Sequence, residues 1–61
     1  MNSKELMKIL EADGWKVCRI KGSHHHLKHP TKTGTLTLTH PKKDIPVGTL
    51  KSILKGAGIS L

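Results

Sequence analysis

Apolar residues near the N-terminus fall at helical spacing: Leu6, Ile9 and Leu10 recur on one face, with Met7 alongside. Asn2 is a capping residue, and Glu5 follows three positions later as in a capping box. Gly14 after Asp13 is a natural terminator, so the pattern predicts a helix over 3–13. The period then shortens. Residues 16–21 and 24–29 read as two strands joined by Gly22-Ser23, a two-residue hairpin signal in which glycine supplies the positive φ. Pro30 ends the second strand and 31–34 form a polar loop. Thr35-Leu36-Thr37-Leu38-Thr39 alternates strictly, which predicts a half-buried strand with both leucines inward. A basic loop from His40 to Asp44 leads to Pro46, suited to the first turn of a helix. Val47, Leu50, Ile53, Leu54 and Ala57 make one apolar stripe, and Gly56 and Gly58 close it. The order helix, three antiparallel strands, helix predicts an α+β domain over residues 1–61, its helices packed on one sheet face.

The tight turn fixes which side chains share a face. With Gly22 and Ser23 at its tip, Lys21 opposes His24, Ile20 opposes His25, Arg19 opposes His26, Cys18 opposes Leu27 and Val17 opposes Lys28. Ile20, Cys18 and Leu27 form the apolar set and are expected to meet the helices, with Cys18 a small buried residue and His25 at the core's edge. The other face then presents Arg19, Lys21, His24, His26 and Lys28, joined by the threonines of the third strand. A slip of one residue would reverse every assignment.

Charge gives this face a purpose. The 61 residues carry 11 Lys plus Arg against four acids, a net charge of +7 before five His are counted. Such an imbalance points to a polyanion, nucleic acid first. A domain this small is marginal alone, and a partner covering apolar surface would help it. The lone Cys18 excludes an intramolecular disulfide and any paired-cysteine zinc site. No apolar run suits a membrane span and no secretory pattern opens the chain, so a cytoplasmic protein is expected.

The hairpin places two imidazoles among three cations, a set that suits cutting RNA. Cations hold the phosphate and steady developing negative charge, while an imidazole moves a proton near neutral pH. Three other readings of His24-His25-His26 are an affinity-tag remnant, a metal site with His40, and a plain solvated strand. The internal position counts against the first, and the surrounding cations and missing carboxylates against the second. His29 and His40, each before a proline, read as structural or phosphate-contacting residues. Lys42 and Lys43 would extend a phosphate track if they lie beside the sheet. Trp15, the only large aromatic, is a core residue before it is a base-stacking one. Gly48 and Thr49, near a helix start, read as structural.

Three blocks resemble one known family. They are the 3–10 helix leading to Asp13-Gly14-Trp15, the Lys21-to-His26 segment with His29-Pro30, and His40-Pro41-Lys42-Lys43-Asp44-Ile45-Pro46-Val47-Gly48-Thr49-Leu50-Lys51-Ser52-Ile53. Together with Ala57-Gly58-Ile59 they cover nearly the whole chain. The chain is similar to HicA, the toxin of the HicA–HicB type II toxin–antitoxin systems. The resemblance implies a double-stranded-RNA-binding-domain-like fold, mRNA cleavage that arrests translation, and neutralisation by a HicB antitoxin. It also implies that His24, the first histidine after the Gly-Ser pair, is catalytic, a choice between His24 and His26 that spacing leaves open. Around it, Arg19, Lys21, Gly22, Ser23, His26, Lys28, Lys42 and Lys43 are the expected RNA-binding residues. Neither a metal nor a cofactor is required, and the free toxin is expected to be a monomer. A non-catalytic RNA binder that blocks translation by occupancy is the alternative.

Overall fold

In the computed structural model, residues 1–60 are described. The chain forms helix α1 (Ser3–Asp13), strands β1 (Lys16–Lys21), β2 (His24–Lys28) and β3 (Leu36–Thr39), and helix α2 (Val47–Ala57). The sheet is antiparallel in the order β1-β2-β3.

Local chemistry sets each boundary. The Asn2 side-chain oxygen accepts from the Glu5 N–H at 2.8 Å, satisfying a donor that the first helical turn cannot. The Glu5 carboxylate meets the Asn2 side-chain amide at 3.3 Å, so only half of a capping box forms. Gly14 ends α1 at φ 109°, and its N–H returns to the Glu11 carbonyl. Pro46 sits just before α2 as its N-cap, one position earlier than the sequence suggests. Gly58 caps the far end at φ 69°, while Gly56 lies inside the helix, where a β-carbon would meet Leu36 Cδ2 at 3.3 Å.

Leu6 and Leu10 of α1, Leu54 and Ala57 of α2, Leu27 of β2, and Leu36 and Leu38 of β3 are buried together with Trp15 and Ile45. Leu27, Leu36 and Leu38 share one face of the sheet, so both helices cover that face and Thr37 and Thr39 look outward. Trp15 is fully buried, the core role expected of it.

The hairpin register agrees with the sequence reading from the turn as far as Arg19 and then departs from it. Lys21 pairs with His24, Ile20 with His25 and Arg19 with His26. A bulge between Val17 and Arg19 then inserts one residue, so Val17 opposes Leu27 and Lys16 opposes Lys28. Cys18 is the extra residue. It is exposed rather than buried, and its thiol donates to the His26 carbonyl at 3.3 Å. Two expected pairs, Cys18 with Leu27 and Val17 with Lys28, are thereby replaced. The reason is parity. Val17 and Ile20 are three positions apart, a spacing that no regular strand can turn to one side. The bulge lets both face the helix side. Even there β1 is an edge strand with little above it: Val17 is 39% and Ile20 59% exposed. The second strand stops at Lys28 because the His29 side chain turns into the following loop.

Candidate nucleic-acid interface

Three cross-strand rows build the open face. Lys21, His24 and Thr39 form the row at the turn; Arg19, His26 and Thr37 form the second; Lys16 and Lys28 form the third. Directly opposed residues point to the same side, so four cations and two imidazoles share this surface. None of the three strands contains an acidic residue. Arg19, His26, Lys28, Cys18 and Thr35 line a shallow cavity of about 400 Å³ between the last two rows. Lys16 is the member that the sequence reading missed. Its signal was the odd Val17–Ile20 spacing, which requires a bulge and so moves Lys16 to the outer side.

The two outward imidazoles differ in their support. His26 is half-buried, and its Nδ1 lies 3.1 Å from Thr37 Oγ1, which holds the ring in place and leaves Nε2 free. The His24 ring is exposed at the turn, and neither of its nitrogens has a hydrogen-bond partner among the described residues. Gly22, at φ 60°, and Ser23 form the turn, and the Ser23 carbonyl accepts from the His40 N–H at 2.8 Å.

The other three histidines have structural roles. His25 lies on the core side, edge-on to His40 with ring centroids 5.1 Å apart. His40 Nδ1 is 2.7 Å from Ser3 Oγ, a buried hydroxyl that also accepts from the Lys42 N–H at 2.7 Å. His29 accepts at Nδ1 from the N–H groups of Thr31 and Lys32, both at 3.0 Å. With Nδ1 accepting, its Nε2–H donates to the Asp13 carbonyl at 2.7 Å.

The remaining predicted residues lie elsewhere. Lys42 and Lys43 line a second cavity, about 410 Å³, with Asn2, Ser3, Lys4, His40 and Pro41 at the start of α1. It shares no residue with the cavity on the open face. Gly48 and Thr49 are exposed in the first turn of α2.

One carboxylate is clearly perturbed. Asp13 is held below its ordinary value first by the Lys32 ammonium, which donates to it at 2.6 Å, with partial burial opposing and the Lys32 charge adding to the effect. Trp15 Nε1 is buried with no hydrogen-bond partner among the described residues. Among the described residues no three His, Cys, Asp or Glu side chains converge as metal ligands would, and no helix is long and apolar enough to cross a membrane.

Comparison with known proteins places this architecture. No match emerges among curated proteins. Among solved structures, a chain of the "HicA3 and HicB3 toxin-antitoxin complex" is 42% identical, with a TM-score of 0.83, covering 100% of this chain and 98% of its own. The model of the family described as HicA toxin of bacterial toxin-antitoxin matches residues 3–59. With the fold, the hairpin and the sequence in agreement over essentially its whole length, the chain belongs to the HicA toxin family.

Proposed function

We propose that this protein is the toxin of a type II toxin–antitoxin pair and arrests translation by cleaving mRNA, with His24 as its catalytic residue. The observation that carries the reading is the open face itself, where two outward imidazoles stand among Lys16, Arg19, Lys21 and Lys28 with no carboxylate on the same strands. Arg19, Lys21 and Lys28 hold and neutralise the scissile phosphate, as preorganised cations do for a charge that grows in the transition state. Gly22 and Ser23 present a bare turn that lets the RNA backbone approach His24. Lys42 and Lys43 act as outlying phosphate contacts, reached from the turn through the His40-to-Ser23 hydrogen bond.

The reaction needs no metal, because the nucleophile is the ribose 2′-hydroxyl already held in the substrate. Its oxygen attacks the adjacent phosphorus, the bond to the 5′-oxygen breaks, and a 2′,3′-cyclic phosphate and a 5′-hydroxyl result. His24 moves a proton in this step. The solved relative belongs to a structure named as a HicA3 and HicB3 toxin-antitoxin complex. A HicB-type antitoxin is accordingly the proposed partner here, bringing acidic groups over the +7 chain and closing off His24.

The test is cleavage of a 5′-labelled mRNA in EDTA by the wild-type chain and by His24→Ala. Metal-free cleavage with cyclic-phosphate ends, lost in the variant while RNA affinity persists, is the expected result. Binding without cleavage by either protein would replace the enzyme with an RNA-occupying module.

A further inference from the structure

We infer that His26 is the second imidazole of the reaction, the acid that protonates the departing 5′-oxygen while His24 accepts the proton of the 2′-hydroxyl. The inference rests on the proposed ribonuclease reading of this face and divides the chemistry between two residues.

Spacing is the first reason. His24 and His26 alternate on β2 and face the same side, about 6.6 Å apart at the rise of an extended strand. In-line displacement at phosphorus puts the entering and leaving oxygens on opposite flanks of the phosphate. Each needs a proton-transfer partner within about 3 Å. Two groups serving one phosphate from both sides therefore stand roughly one β-repeat apart.

Orientation is the second reason. Thr37 Oγ1 occupies His26 Nδ1 at 3.1 Å, so the ring cannot turn freely, and Nε2 is the nitrogen left for substrate. In the imidazolium, Nδ1–H donates to the threonine and Nε2–H remains a donor, which is the form an acid requires. His24 keeps an uncommitted nitrogen lone pair and suits the base. Arg19 stands directly opposite His26, and Lys28 lines the same cavity. The bound phosphate supplies the counter-charge that an imidazolium among these cations needs.

Every proton is accounted for. The 2′-hydroxyl proton passes to His24 as the new O–P bond forms. The P–O5′ bond breaks, and the Nε2 proton of His26 passes to that oxygen. Solvent then returns each ring to its starting state.

The test compares a short RNA having one scissile linkage with the same RNA carrying sulfur in place of the bridging 5′-oxygen. A thiolate leaves without being protonated, so the sulfur substrate has no need of an acid. Wild type, His24→Ala, His26→Ala, His26→Gln and Thr37→Val are assayed in EDTA at saturating RNA. Both His26 variants should lose about 10²–10⁴-fold on the oxygen RNA and recover the wild-type rate on the sulfur RNA. His24→Ala should lose on both, and Thr37→Val should show a smaller loss confined to the oxygen RNA. Equal losses by the His26 variants on the two substrates, or no loss on either, overturn the inference while leaving His24 as the catalytic residue. A wild-type chain that cuts neither substrate overturns the ribonuclease reading and this inference together.

Discussion

His29 and His24 lie five positions apart and have opposite fates. The His29 side chain is buried, and both its nitrogens are used: Nε2–H on the Asp13 carbonyl, Nδ1 on two backbone N–H groups. It joins the end of α1 to the loop between β2 and β3, and its ring stands edge-on to Trp15 with centroids 5.3 Å apart. The His24 ring is exposed among cations and has no hydrogen-bond partner among the described residues. A histidine whose nitrogens are all occupied can hold a fold together but has nothing to offer a substrate. One left free adds little to stability and remains available for proton transfer.

The sharpest way to break this comparison is to remove each ring in turn. His24→Ala should lower RNA cleavage by about 10²-fold or more while leaving the unfolding midpoint in urea unchanged. Loss of stability with no loss of cleavage would reverse the assignment. His29→Ala should cost about 2–4 kcal/mol by equilibrium denaturation, because two N–H groups lose their acceptor and a void opens beside Trp15. In so small a domain that is a large part of total stability. An effect below about 1 kcal/mol would mean that the loop does not depend on the ring.

Gly14→Ala probes the same junction from the other side. The backbone there is at φ 109°, and a β-carbon would stand 2.8 Å from His29 Nε2. Strain and displacement of the ring should together cost about 1–3 kcal/mol. An alanine variant as stable as wild type would show that the junction yields.

The Asp13–Lys32 pair should give a smaller effect that depends on pH. The folded Asp13 lies below its ordinary value of 3.8, chiefly through the Lys32 hydrogen bond. A lowered carboxylate stabilises the fold above the unfolded value and loses that contribution as pH falls through the folded one. Wild type should therefore lose stability relative to Lys32→Ala as acid is added below about pH 4, and the two denaturation curves should converge there. A constant difference down to pH 2 would exclude this linkage.

Cys18→Ser should change least, by less than about 0.5 kcal/mol, since the side chain is exposed on the bulge. The native thiol should react fully with a water-soluble thiol reagent. Protection until unfolding would restore the buried cysteine that regular pairing implies.

The strands show why part of this was legible in the sequence. In β3 the threonines and leucines alternate, and the observed burial alternates with them. In β1 every residue is exposed, so burial does not discipline the register and the pattern Lys-Val-Cys-Arg-Ile-Lys admits two readings. Counting outward from Gly22-Ser23 was correct for the first three pairs because a two-residue turn dictates them. Beyond Arg19 only contact with β2 could decide. The placing of Lys42 beside the start of α1 was equally hidden, because it depends on Ser3 binding the loop there.

By itself, the sequence determined the element order, the caps at Asn2, Gly14 and Gly58, the hairpin tip, and the basic face that carries His24 and His26. All of these follow from local φ preferences and from periodicity, which act within a few residues. Tertiary structure decided the bulge at Cys18, the arrival of Lys16 on the open face and the distinct environments of the five histidines. Those depend on which groups meet across the sheet and between helix and loop, and a hydrogen bond such as His26 to Thr37 exists only once the two strands are side by side.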